Sequence, residues 1–258
     1  MPADASGKIA RSLLAKDGQV ILDALPSPTD QNDATHAARK AIRRMRALLA
    51  LLVDDGIELQ REDLALKRLA KGLSDMRDAH VVVETCRRLQ AAHPGSDWAP
   101  VIAALERRRT RILQRSLAED PAFERRRRVL ARILERVEAQ PWSALRRGPI
   151  RKALERSERR VAKAAARARR DADPEQIHRW RRRVRRLRMQ LDAAQLLGAL
   201  HGHDALAREA KSLHRLSDQL GWLQDLQLLR NLVRNMPADG SKAAVLDHID
   251  NELQATTR

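Results

Sequence analysis

An eleven-residue basic segment occurs twice in this chain, and on an α-helix its cationic and apolar positions fall on opposite sides. In the first copy His36 is followed by Arg39, Lys40, Arg43, Arg44 and Arg46; in the second His178 is followed, at the same offsets, by Arg181, Arg182, Arg185, Arg186 and Arg188. At about 100° per residue these positions gather on one side of a helix. The other side carries Ile42, Met45, Leu48, Leu49 and Leu52 in the first copy, and Trp180, Val184, Leu187 and Leu191 in the second. Such a helix buries one face and presents the other to something charged. Two copies imply that the chain is a duplicated helical unit.

The rest of the chain agrees. Leu, Ala, Arg and Glu dominate, and apolar residues recur at spacings of three and four over long windows. The prediction is all-α, with about nine helices separated where Pro, Gly and Asp cluster. Breaks are expected at 26–28, 54–56, 93–95, 120–121, 140–141, 148–149, 173–174, 198–202 and 237–240. Asp173-Pro174-Glu175-Gln176 reads as a helix start, with an acidic N-cap and Pro at the first helical position. The repeat extends downstream, where the segment from Lys67 to Asp78 corresponds to that from His214 to Asp225. Each half then holds at least four helices, which suits two bundles, 1–140 and 141–258, joined near Gln140 to Gly148.

Composition narrows the partner. The chain has 258 residues, 51 Lys and Arg against 34 Asp and Glu, and a formal net charge of +17, so its surface should draw polyanions. A hydrophobic content of 43% is enough for a true core, and the apolar run from Ala47 to Val53 is far too short to span a membrane. No membrane partner is expected. Cys86 is the single cysteine, which excludes an internal disulfide and any multi-cysteine zinc site. With no apolar segment behind the N-terminal charges, the expected location is cytoplasmic. Four Trp, Phe123 and no Tyr provide few platforms for stacked bases.

The two stripes stand apart from the other basic runs because no Asp or Glu interrupts them. Like charges four residues apart repel by a few tenths of a kcal/mol each, so an ordinary solvated helix would intersperse acids. An arrangement this unfavourable, present twice, points to an anion. His36 and His178, close to their helix starts, are expected to act as auxiliary donors to it. Asp78 and Asp225 are expected to pair with an arginine of the stripe helix and hold its side chain in place. A further basic face at Lys152, Arg156, Arg159 and Lys163 spans about 60° of a helical wheel and is a candidate extension of the site. Nothing in the sequence assembles a catalytic group, a metal site or a cofactor site, and no enzymatic activity is expected.

The pattern H-x-x-R-x-x-x-R-R-x-R, carried at His36 to Arg46 and again at His178 to Arg188, resembles that of the CHAD proteins (conserved histidine α-helical domain). The flanking segments ending in Asp78 and Asp225 are similar to the family's as well. The resemblance implies two antiparallel four-helix-type bundles related by a pseudo-twofold axis, with a basic groove that binds inorganic polyphosphate without turning it over. It implies residence at polyphosphate granules, with granule-associated proteins as further partners. The site residues implied are His36, Arg39, Lys40, Arg43, Arg44, Arg46, His178, Arg181, Arg182, Arg185, Arg186 and Arg188. About ten phosphate contacts would give a log-log salt slope on the order of −7. The alternatives are a nucleic-acid-binding protein, with nucleic acid otherwise only a non-specific competitor, and a metal-dependent polyphosphate or triphosphate hydrolase.

Overall fold

The computed structural model describes residues 3–25, 31–53, 57–171, 173–200, 203–237 and 240–257. The breaks expected at 26–28 and 54–56, and parts of those at 198–202 and 237–240, lie outside these residues. Among the described residues there are ten α-helices and no strand: α1 (Ala3–Ala24), α2 (Gln31–Leu49), α3 (Gln60–Gly72), α4 (Ser74–Ala92), α5 (Ala99–Glu119), α6 (Glu124–Glu138), α7 (Arg147–Asp171), α8 (Pro174–Leu196), α9 (His203–Arg234) and α10 (Lys242–Thr257). Short 3₁₀ turns at Pro121–Phe123 and Trp142–Ala144 precede α6 and α7.

Two boundaries differ from expectation. No separate break occurs at Gly148–Pro149, because Pro149 lies in the first turn of α7, where a missing amide costs no intrahelical bond. Conversely, the segment from Lys67 to Asp78 is two helices, interrupted between Gly72 and Ser74, while its counterpart from His214 to Asp225 runs unbroken inside α9. Gly72 is a weak helix former, and it lies beside Arg126 of α6, whose guanidinium donates to the Gly72 carbonyl at 3.4 Å. Leu73, at the junction, is fully buried. The two halves of the sequence are therefore not folded identically.

The chain forms two compact units, and neither is a sequence half. One comprises Met1–Gly72 and Ala122–Ser217; the other comprises Leu73–Pro121 and Asp218–Arg258. In the first, α1 packs on α2 and α6, α2 on α3 and α8, α3 on α6, and α7 on α8. Its interior includes Leu14, Ile21, Leu66 and Leu130, together with Ile42, Met45 and Val184 of the apolar faces read from the sequence. Helix α1 is held very close: a Cβ at Gly7 would stand 1.8 Å from the Trp142 carbonyl oxygen, and one at Gly18 2.4 Å from the side chain of Leu134. Buried Ser6, next to Gly7, donates to the Leu197 carbonyl at 2.8 Å.

The second unit encloses its own core, in which Val82, Val83, Cys86 and Leu89 of α4 meet Val101 and Leu105 of α5, Leu226 and Leu229 of α9, and Val245 and Ile249 of α10. Burial pushes the Cys86 thiol up to about 12. Each unit has enough apolar surface to bury a continuous interior, so the basic faces are left to water or to a ligand.

Candidate anion-binding cleft

Both stripe helices, with α7, line a cleft of about 650 Å³ in the first unit. Helix α2 contributes Arg43 and Arg46, α7 contributes Ser157 and Arg160, and α8 contributes Arg179, Arg182, Arg183, Arg185, Arg186, Met189 and Gln190. Eight of these eleven residues are arginines, and none is an acid. The local sequence explains the placement. Asp173 caps α8 by accepting the Glu175 amide at 3.1 Å, and Val184, Leu187 and Leu191 anchor the helix on its buried side. On α2 the corresponding anchors are Ile42, Met45 and Leu49.

Several guanidinium groups are held in fixed positions. Arg46 donates through Nε and Nη2 to the two carboxylate oxygens of Asp63, at 2.7 and 3.1 Å. Arg183 donates to the Arg160 carbonyl at 2.8 Å, which ties α8 to α7. At the mouth, Arg179 donates to Glu175 at 3.1 Å, and Arg182 lies 3.8 Å from the same carboxylate. At Arg186 the charged form is disfavoured. Burial pushes its pKa down, the neighbouring Arg46 pushes it further, and Arg160 adds to this against the single opposing effect of Asp63. Cations so arranged destabilise one another until an anion is present. The lining includes Gln190, whose amide donates to the Ala47 carbonyl of α2 at 3.4 Å and whose Oε1 is buried with no hydrogen-bond partner among the described residues.

The CHAD domain family matches residues 8–234. The chain belongs to the CHAD domain family. Among solved structures, a CHAD domain from the plant Ricinus communis aligns over 100% of this chain and 88% of its own, with 20% identity and a TM-score of 0.69. PptA from Streptomyces chartreusis aligns over 97% of this chain and 96% of its own, with 16% identity and a TM-score of 0.69. At these identities the likeness establishes the fold. No curated protein matched the chain.

Within this CHAD domain the two stripes contribute unequally. Of the predicted residues, Arg43, Arg46, Arg182, Arg185 and Arg186 line the cleft, whereas His36, Arg39, Lys40, Arg44, His178, Arg181 and Arg188 lie elsewhere on α2 and α8. Arg39 donates to the Ala70 carbonyl of α3 at 2.6 Å. Arg44 turns the other way, toward α1, where it pairs with Asp17 through Nε at 2.8 Å and through Nη2. His36 and Lys40 are exposed and His178 is half-buried.

On α7, Lys152 and Lys163 are exposed, and Arg159 is 3.9 Å from Glu155 of its own helix. The cleft instead receives Arg160, which the sequence reading missed, together with Arg179 and Arg183. The signal for Arg160 was its place four residues after Arg156, with the small Ser157, buried and donating to the Ala153 carbonyl, between them. Asp78 and Asp225 both act on Arg77 of α4, in the second unit, and oppose the lowering that burial imposes on it. Among the described residues no group of three or more His, Cys, Asp or Glu could hold a metal ion, and no helix is long and apolar enough to cross a membrane.

Proposed function

We propose that this CHAD domain binds inorganic polyphosphate in the arginine-lined cleft and does not turn it over, and that it resides in the cytoplasm at polyphosphate granules. The observation that carries the reading is eight arginines around one cleft with no acid in its lining. Guanidinium groups suit phosphate because they offer two parallel donors in one plane, and a phosphate chain supplies acceptor oxygens along its whole length. The ligand would relieve the repulsion among Arg186, Arg46 and Arg160.

Single-stranded nucleic acid is a poorer fit. Trp98, Trp142 and Phe123 are buried, Trp180 is half-buried, and Arg88 lies 4.0 Å over the Trp222 ring, so no aromatic is exposed for bases to stack on. Titration with polyphosphate of defined length across a salt series tests the reading. Eight contacts at about 0.7 each predict a log-log slope of about −5 to −6. A flat response, or tighter binding of single-stranded RNA at equal phosphate concentration, would refute it.

A further inference from the structure

A second cavity of about 610 Å³ opens beside the cleft and shares Ser157, Arg160 and Arg186 with it. Its far wall is of a different character. Leu52, Val53, Ile57, Leu59 and Leu64 form an apolar lining, with the side chains of Gln60 and Asp63 set among them. Val53 and Leu64 are 50% and 51% exposed, unusual for large aliphatic residues in a chain that buries most of the others. Arg156 joins Arg160 and Arg186 on the basic side. A bare phosphate chain has no use for an aliphatic wall, and an alkyl chain would lie against the Asp63 carboxylate and the Gln60 amide.

We infer that this cavity accepts the organic head of a nucleoside 5′-oligophosphate whose phosphates enter the arginine cleft. Three features match that class. The aliphatic wall takes the face of the base; Asp63, whose oxygens accept from Arg46 yet keep further lone pairs, accepts a sugar hydroxyl; Gln60 offers both a donor and an acceptor to the base edge. Arg160 and Arg186, common to both cavities, receive the phosphates next to the ester bond. The size suits a small organic ligand, since such pockets span roughly 300–1,000 Å³. The inference rests on the reading of the neighbouring cleft as a phosphate-chain site.

The test compares inorganic tetraphosphate with adenosine 5′-tetraphosphate by calorimetry at fixed ionic strength, in the wild-type protein and in a Val53→Ser/Leu64→Ser double variant. The two ligands have the same number of phosphates, and the inorganic one has the greater charge, so a preference for the nucleoside is not electrostatic. The expected result is adenosine tetraphosphate bound at least about tenfold more tightly, with that advantage lost in the double variant and inorganic tetraphosphate unaffected. Equal affinities for the two ligands, or a preference that survives in the double variant, would overturn the inference and leave the cleft reading intact. Failure of both ligands to bind would overturn both.

Discussion

Arg186→Met separates binding from stability in a way that few cleft substitutions could. The change keeps a long, flexible, largely apolar stem and removes a guanidinium that is half-buried and repelled by Arg46 and Arg160. Because the folded state disfavours the charged form, removing the charge relieves the ligand-free protein; replacing poorly compensated buried charges by apolar groups gains on the order of 1 kcal/mol or more. For a chain of this length that is a rise in Tm of about 2–4 °C. With polyphosphate the sign reverses. Loss of a charge-assisted contact costs about 1.5–3 kcal/mol, or roughly 10- to 150-fold in affinity. The salt slope should become shallower by about 0.7. Melting curves without ligand and at saturating polyphosphate, with calorimetric titrations at several salt concentrations, measure all three quantities. Arg186→Lys should recover part of the slope but less of the affinity, since an ammonium lacks the planar fork. A ligand-free Arg186→Met protein that melts several degrees lower, or one whose salt slope is unchanged, would refute the reasoning.

Other substitutions probe other parts of the molecule. Gly7→Ala should destabilise the first unit by about 1–3 kcal/mol in denaturant unfolding, because its Cβ would overlap the Trp142 carbonyl oxygen at 1.8 Å. Cys86 should be inert to thiol reagents at pH 8 until the second unit opens, with its thiol pushed up to about 12. Because that value is raised on folding, this thiol leaves stability unaffected below its unfolded pKa of about 9 and lowers it as the pH rises from there toward 12, which urea titrations at pH 8 and 10.5 would register. Arg160→Gln should weaken polyphosphate binding about tenfold, whereas Lys163→Gln, on an exposed position outside the cleft, should alter affinity less than about twofold; the reverse order in a direct titration would place the ligand elsewhere.

Helical periodicity made much of this legible. It separates wet from dry faces, and Ile42, Met45, Val184 and Leu187 are buried as their spacing requires. The Asp173 cap was likewise readable from local residue order. What periodicity does not encode is which neighbour a wet face looks toward. Arg43 and Arg44 are adjacent in sequence and both lie on the predicted stripe, yet one lines the cleft and the other pairs with Asp17. That choice depends on an acid 27 residues away. Arg160 was overlooked for the same reason: the most regular basic row of α7 is Lys152 to Lys163, but the cleft lies on the side where Ser157 is buried. The compact units were hidden as well, since grouping α1–α3 with α6–α8 is a matter of contacts between distant segments.

The divergence of Arg44 from its counterpart Arg186 has a consequence for direction. The sequence repeats itself, but the cleft takes five arginines from α8 and two from α2, with Arg44 held on α1. Linear polyphosphate reads the same from both ends, so on such a surface it can lie either way round, and neither orientation is distinguished by the ligand. A chain carrying a different group at one terminus loses that freedom. A repeated sequence has thus produced an unequally lined cleft, and any preference for direction would have to come from the ligand's own ends.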